Sequence, residues 1–251
     1  LAVGPRGEVY WSDRAQAWRL APEGSAAPQS VGKGAAACAI GPDGRRYLAL
    51  PGEGRLVAVD DDGRSLPIAR GFRASALAVA HNGNLYATDS TTGDVWLVRP
   101  GGQRLRVDRG LQAPAGVTLS PDQTLLYVSE AETHWVISYQ IQPDGTLAHR
   151  QRYFWLHVPD SEEESGAAGM CVDREGRLYV ATHIGIQVCD QAGRVNAILP
   201  LPQGRVTTVA FGGADFDTLY AIAGDRLYRR RLGTRGAHGW AAPHRPAPPR
   251  L

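Results

Sequence analysis

One short pattern occurs six times along this chain: a turn, then a strand centred on tyrosine. It reads Gly7-Glu8-Val9-Tyr10, Gly44-Arg45-Arg46-Tyr47, Gly83-Asn84-Leu85-Tyr86, Leu125-Leu126-Tyr127, Gly176-Arg177-Leu178-Tyr179 and Thr218-Leu219-Tyr220. Successive tyrosines are 37, 39, 41, 52 and 41 residues apart. A recurring unit of about 40 residues, rich in strand and turn signals, marks a propeller. A single small antiparallel sheet cannot bury both faces alone, so the units must stack around an axis. The spacing predicts an all-β, six-bladed propeller with four-stranded antiparallel blades. The blades fall at roughly 1–34, 35–72, 73–111, 112–165, 166–204 and 205–236, and a Pro-rich tail follows at 237–251.

Within a unit, an apolar first strand leads through a turn to the Tyr strand, then through a polar loop to a third strand. The second unit shows the order in Ala36, Cys38 and Ile40, the turn Pro42-Asp43-Gly44, Tyr47 to Leu50, and Arg55 to Asp60. Glycine in such turns supplies positive φ without steric cost. Most units carry a fourth, outer strand, as in Arg104 to Asp108. Two units depart from this. The fourth is longer, and its excess, Arg150 to Ser165, is predicted to form a flap into the fifth. The sixth has no outer strand after Leu227 to Leu232, so the last blade is expected to be incomplete or covered by the tail.

Composition narrows the function. The net charge of +2 argues against nucleic-acid binding, and Arg229-Arg230-Arg231 reads as a solvated outer edge. No apolar run approaches the roughly 18 residues of a membrane span. Three cysteines give no disulfide framework. Cys171 and Cys189 fall on the first and third strands of one blade, about 9.6 Å apart, too far to bridge. All three are expected to be buried thiols. The compartment is unknown from the sequence, with export to a periplasm or the exterior the favoured reading for a chain whose first residue is Leu1.

Three segments carry a family likeness: Gly116-Val117-Thr118-Leu119-Ser120-Pro121-Asp122 with Leu126-Tyr127-Val128; Gly169-Met170-Cys171-Val172-Asp173 with Gly176-Arg177-Leu178-Tyr179; and Phe211-Gly212-Gly213 with Asp217-Thr218-Leu219-Tyr220. In register with the repeat, they resemble the senescence-marker-protein, gluconolactonase and luciferin-regenerating-enzyme family of propellers. The resemblance implies a divalent cation at the top of the channel, held by oxygen donors just before the first strands. At those positions this chain has other residues. The blade-four Asn falls on Ala115, the blade-five Asp on Ala168, the blade-three pair on Ser75 and Ala76, the blade-two Asn on Ala36, and blade six offers Thr208. The blade-one Glu would precede Leu1. Alanine has no donor atom, and two hydroxyls do not make a site for a hard cation. No metal or other cofactor is therefore expected.

Acidic and His residues in the loops after the Tyr strands form a candidate rim: Asp13, Asp89, Glu130, His134 and His183. They could contact a polar ligand or supply a base. The competing reading has the Asp residues capping tight loops and His134 packing against Trp135 and Trp155. No Gly-x-Ser-x-Gly elbow, phosphate loop or zinc spacing is present. Two functions follow from this. The first is a non-catalytic module that binds a carbohydrate or other small molecule, or serves as an accessory domain beside a neighbouring domain of a longer polypeptide. The second is a hydrolase acting on a sugar lactone or related ester.

Overall fold

The computed structural model describes residues 1–12, 17–22, 26–29, 35–71 and 73–248, with residues 26–29 described in backbone alone. Six antiparallel sheets are arranged as a propeller, each beginning with its innermost strand. Blade one holds β1 (Ala2–Val3), β2 (Val9–Ser12), β3 (Ala17–Leu20) and β4 (Ala26–Gln29). Blade two holds β5 (Ala37–Ile40), β6 (Arg46–Leu50), β7 (Arg55–Val59) and β8 (Ser65–Arg70). Blade three holds β9 (Ala76–Val79), β10 (Leu85–Asp89), β11 (Asp94–Val98) and β12 (Arg104–Asp108). Blade four holds β13 (Pro114–Leu119), β14 (Leu125–Glu130), β15 (Trp135–Ile141) and β16 (Leu147–Trp155). Blade five holds β17 (Met170–Asp173), β18 (Leu178–Thr182), β19 (Gly185–Cys189) and β20 (Val195–Leu199). Blade six holds β21 (Val206–Gly212), β22 (Thr218–Ala223) and β23 (Arg226–Arg231). Among the described residues no helix is long and apolar enough to cross a membrane.

The repeated turn-and-tyrosine pattern is a hydrogen-bonded latch. In blade five the buried Asp173 carboxylate accepts from the Glu175 and Arg177 backbone N–H groups at 3.0 and 2.9 Å. The Tyr179 hydroxyl donates to its other oxygen at 3.2 Å. Gly176 completes the turn with φ 80°, a conformation that strongly favours glycine. Blade two repeats the wiring, with Asp43 accepting from Arg45 N–H at 3.1 Å and from the Tyr47 hydroxyl at 3.0 Å. In blade three the Tyr86 hydroxyl instead donates to the Gly145 carbonyl of blade four at 2.9 Å.

The core lies between blades. Ala49 and Leu56 of blade two pack with Leu77, Leu85 and Val98 of blade three. Tyr86 and Leu97 of blade three meet Val117, Leu126 and Ile137 of blade four. Phe154 and Val136 meet Met170 and Leu178 across the next seam, and Tyr179 and Ile186 meet Val209 and Phe211 across the one after. The ring closes where Val3, Val9 and Leu20 of blade one pack on Ala210 and Tyr220 of blade six. Fully burying such a side chain contributes roughly 1.5–3 kcal/mol.

Three expectations need correction. Residues 150–155 are not a flap but part of β16, the outer strand of blade four, which pairs Trp135 with Trp155 and Val136 with Phe154; residues 156–169 alone make the connection. Cys38 and Cys171 are only partly buried, while Cys189 is buried; all three are free. The blades are not uniformly four-stranded. Blade six has three strands among the described residues, the incomplete last blade that the sequence predicts, and the tail does not cover its edge. The tail turns inward, where β24 (Gly236–Ala237) adds to the inner edge of β17, giving blade five a fifth strand.

Beyond β24 the tail crosses the lower end of the channel, where the innermost strands finish. Trp240 Nε1 donates to the Val3 carbonyl at 2.8 Å, and Gln123 Nε2 donates to the Gly239 and Ala241 carbonyls at 3.0 and 3.1 Å. His244 N–H donates to the Pro121 carbonyl at 2.8 Å. His238 stacks on Trp240 with ring centroids 5.0 Å apart, and Phe216 packs on both. There is no room for a Cβ at Gly239, where it would overlap the Val79 carbonyl. The tail is thus a strap tied to blades one, three, four, five and six. Trp240→Ala should cost about 2–4 kcal/mol, read as a lower urea midpoint with little change in slope.

The strap also carries a pH dependence. Burial, with Arg174 nearby, pushes the His238 imidazole down to about 4. A group whose folded pKa is depressed below its unfolded value of about 6.5 favours the neutral form on folding. Its contribution is therefore full above pH 6.5 and is lost as pH falls towards 4. His238→Phe keeps the stack and cannot titrate. Its melting temperature should fall less than that of the parent between pH 6.5 and 4.5.

Candidate functional site

The six innermost strands begin around a cavity of about 310 Å³ at the upper end of the channel. Ala36, Ser75, Ala76, Ala115 and Thr208 line it, as the sequence places them, together with Trp11, Gly169, Met170 and Thr207. Ala168 does not line it. Its carbonyl faces blade four instead, accepting from the Ser129 hydroxyl at 2.9 Å. Below lies a second space of about 120 Å³, floored by Ala237, His238 and Trp240 of the strap. Leu1, Cys38, Leu77, Val117, Met170 and Val209 border both spaces and form an apolar collar between them.

Close approach of backbones explains the glycines in the matching motifs. A Cβ on Gly116 would overlap the Ala168 carbonyl, and one on Gly169 would press into Thr208. Neither glycine has positive φ, so it is proximity that excludes a side chain here. Blades four, five and six therefore start their inner strands side by side, and Gly169 N–H donates to the Thr207 carbonyl at 3.1 Å.

The polar side chains on the wall are hydroxyls. Ser75 Oγ lies 2.7 Å from Ser90 Oγ and accepts from Ser90 N–H at 3.0 Å. The Thr207 hydroxyl donates to the Ile222 carbonyl at 3.2 Å. Thr208 Oγ1 accepts from Leu1 N at 3.2 Å, which leaves its own proton available to the cavity. Among the described residues no three His, Cys, Asp or Glu side chains come together as a metal cluster.

The rim residues do not converge on this cavity. Asp89 is buried and accepts from the Thr91, Thr92 and Arg73 backbone N–H groups at 3.0, 3.2 and 3.4 Å. Glu130 is buried and accepts from Gln112 N–H at 2.9 Å and the Thr133 hydroxyl at 3.1 Å. His134 stacks on Trp155 at 4.5 Å, with Nδ1 3.2 Å from the Leu156 carbonyl. These contacts are those of loop caps and packing groups. His183 is different, because its Nδ1 sits 2.8 Å from Glu162 Oε2. That pair joins the β18–β19 loop to the 156–169 connection, and its ring lies against Gly166, where a Cβ would overlap it. Asp13 lies outside the described residues.

Comparison with known proteins agrees with this geometry. The sequence model of the SMP-30/gluconolactonase/LRE-like region matches residues 2–224. The chain belongs to that family. It is similar to regucalcin of Danio rerio, with 31% identity over 110 residues, 42% of this chain and 36% of that protein. A pentonolactonase of Haloferax volcanii is 31% identical over 110 residues, 43% of this chain and 36% of the relative. The matched stretch thus spans about a third of the length of these curated relatives. Among solved structures, a gluconolactonase of Xanthomonas campestris superposes with a TM-score of 0.79 at 22% identity, covering 92% of this chain and 84% of that one. A luciferin-regenerating enzyme gives 0.76 at 19% identity, covering 93% and 91%. At such identities the structures establish the shared fold.

Sequence alone missed Trp11, Thr207, Met170 and the strap residues as parts of the channel. Period-two alternation on the inner strands, Ala36 with Cys38 for example, was the available signal for the wall. Nothing in the tail's composition announces a channel floor. The loop-cap role of Asp89 can be checked directly. Asp89→Ala leaves three backbone donors without their acceptor and should cost about 2–4 kcal/mol in denaturant unfolding. Ligand binding in the cavity should change less than twofold.

Proposed function

We propose that this family member is a metal-independent binding module, with the upper channel cavity as the site of a small, uncharged, polar ligand such as a sugar or sugar lactone. The observation that carries this reading is the chemistry of the wall. At the positions where the resemblance implies cation ligands, the side chains are Ala36, Ser75, Ala76, Ala115, Ala168 and Thr208, and Ala168 is outside the cavity lining. A hard cation takes six to eight oxygen ligands, usually including carboxylates. One or two hydroxyls do not fit that requirement, so no step of a reaction is routed through a metal here.

The same wall suits a neutral ligand. A volume of about 310 Å³ falls in the range of small-molecule pockets. Thr208 can donate, Ser75 lies at the edge of a hydroxyl pair, and Trp11 gives the wall an aromatic surface. No carboxylate or imidazole among the described lining residues is placed to activate water. The hydrolase reading draws on family membership and on a cavity at the start of the inner strands, and fold alone does not confer activity.

Four measurements separate the readings. Calorimetric titration with Ca²⁺, Mg²⁺, Mn²⁺ and Zn²⁺ should show no site of micromolar affinity, and EDTA should leave the melting temperature unchanged. Hydrolysis of gluconolactone should run at the uncatalysed rate with or without each cation. Titration with neutral sugars and lactones should give saturable heat that Thr208→Val reduces about three- to tenfold, the loss of one hydrogen bond. A chelator-sensitive lactonase rate would establish the hydrolase instead.

A further inference from the structure

The fourth strand of a complete blade presents a free outer edge, and an unpaired edge is a template for another strand. Blades one to four carry protection there. β4 contains Pro28, β8 contains Pro67 and ends at Arg70, β12 contains Arg104, Arg106 and Asp108, and β16 contains Arg150 and Arg152. Proline removes a ladder donor, and charge repels a like edge. β20 of blade five has neither. It reads Val195-Asn196-Ala197-Ile198-Leu199, with Asn196, Ala197 and Ile198 exposed. A bulge between Val188 and Cys189 interrupts the ladder near Asn196, which leaves Ala197, Ile198 and Leu199 as the regular run. The nearest charge, Arg194, precedes the strand and is paired with Asp190 at 2.8 Å.

The surface beside this edge is apolar and held in place. A groove of about 480 Å³ runs along β20, with His157, Val158, Pro159 and Ile184 as its other wall. The buried Gln187 side chain pins that wall. Its Oε1 accepts from His157 N–H at 2.8 Å, and its Nε2 donates to the His157 carbonyl at 2.7 Å. On the adjoining outer strand β16, Tyr153 and Trp155 are exposed, and the Tyr153 hydroxyl donates to the Gln191 carbonyl of the β19–β20 turn at 2.8 Å. Of the five large apolar side chains exposed among the described residues, Tyr153, Trp155 and Ile198 thus sit on the outer strands of two neighbouring blades. Clustered exposure of this kind marks an association surface.

The occupant that suits this edge is a second copy of it. A two-fold axis sets a residue against itself, so a charged edge meets its own charge. Antiparallel pairing about Ile198 sets Ile198 against Ile198 of the second copy, Ala197 against Leu199, and Asn196 against Pro200. Arg194 falls opposite Pro202. No like charges meet, and the apolar residues cover one another. The same operation at the centre of β12 would set Arg106 against Arg106.

We propose that the protein self-associates through the outer edge of β20, as a two-fold dimer in which blade five of one copy continues into blade five of the other. Main-chain hydrogen bonds join the two strands, and Ile198 with Val158 and Pro159 supplies the apolar contact. The interface lies on the rim of the propeller and is independent of the channel.

Sedimentation velocity on the full chain, from micromolar to millimolar concentration, tests this. The weight-average mass should rise with concentration towards that of a dimer. Ile198→Lys and Ile198→Glu, each checked for an unchanged melting temperature, should weaken self-association by about tenfold or more, because like charges then meet at the two-fold. Mixing the two variants should restore a dimer, since lysine then faces glutamate. Leu66→Lys, on the exposed outer strand of blade two, should leave association unchanged. A parent that stays monomeric throughout would overturn the proposal. If that monomer bound a neutral strand peptide such as Thr-Val-Thr-Ile-Thr-Val-Thr, the edge would belong to another protein instead. Dimers that persist in both Ile198 variants would place the contact elsewhere and overturn it as well. Loss in both variants without recovery on mixing would overturn pairing about Ile198.

Discussion

Face-to-face packing between neighbouring sheets is the constraint on which the rest of this structure depends. Among the described residues most of the large apolar clusters straddle a seam: Leu56 with Leu85, Leu97 with Leu126, Phe154 with Leu178, Tyr179 with Phe211, Val9 with Tyr220. Stability therefore lies between blades rather than at the axis. The axis is left as a channel whose walls are strand edges and small side chains. Leu77, Val117, Met170 and Val209 line it and also belong to the seam clusters, so it is the alanines and hydroxyls at the upper mouth whose chemistry can vary while the fold persists.

That separation shapes how the channel recognises anything. Gly116 and Gly169 bring the inner strands of three blades into backbone contact, and the diameter of the mouth is set by that contact. On the proposed reading, the choice of ligand would fall to the side chains just beside it. On that reading, alanines and hydroxyls there would discriminate by fit and by single hydrogen bonds. Each such bond contributes only about 0.5–1.5 kcal/mol net. Recognition of this kind is modest in affinity and sensitive to shape, unlike the strong, salt-dependent hold of a charged site.

The blades were legible in the sequence because several of them repeat a local physical device. Asp173, Gly176 and Tyr179 form one latch within seven residues, and Asp43, Gly44 and Tyr47 form another. Short-range chemistry of that sort survives in any reading of a single sequence. The cavity wall was legible in part, since Ala36, Ser75, Ala76, Ala115 and Thr208 follow from register. Ala168 is not among the lining residues; it packs against the apolar cluster between blades five and six, and its carbonyl accepts from the Ser129 hydroxyl. The strap was not legible. Its partners, Val3, Gln123 and Pro121, are more than a hundred residues away, and neither periodicity nor composition encodes a contact at that distance.

The strap also orders events in time. Residues 236–244 come after all six blades in chain order, yet they touch the first, third, fourth, fifth and sixth. A ribosome delivers the chain at about 5–20 residues per second, so every blade emerges before the floor of the channel exists. Until then the inner edge of β17 is unpaired and the underside of Phe216 is bare. The nascent ring is an open-ended tube whose lower rim is adhesive. Its passage to the finished protein depends on residues 236–244 arriving before another chain finds that edge.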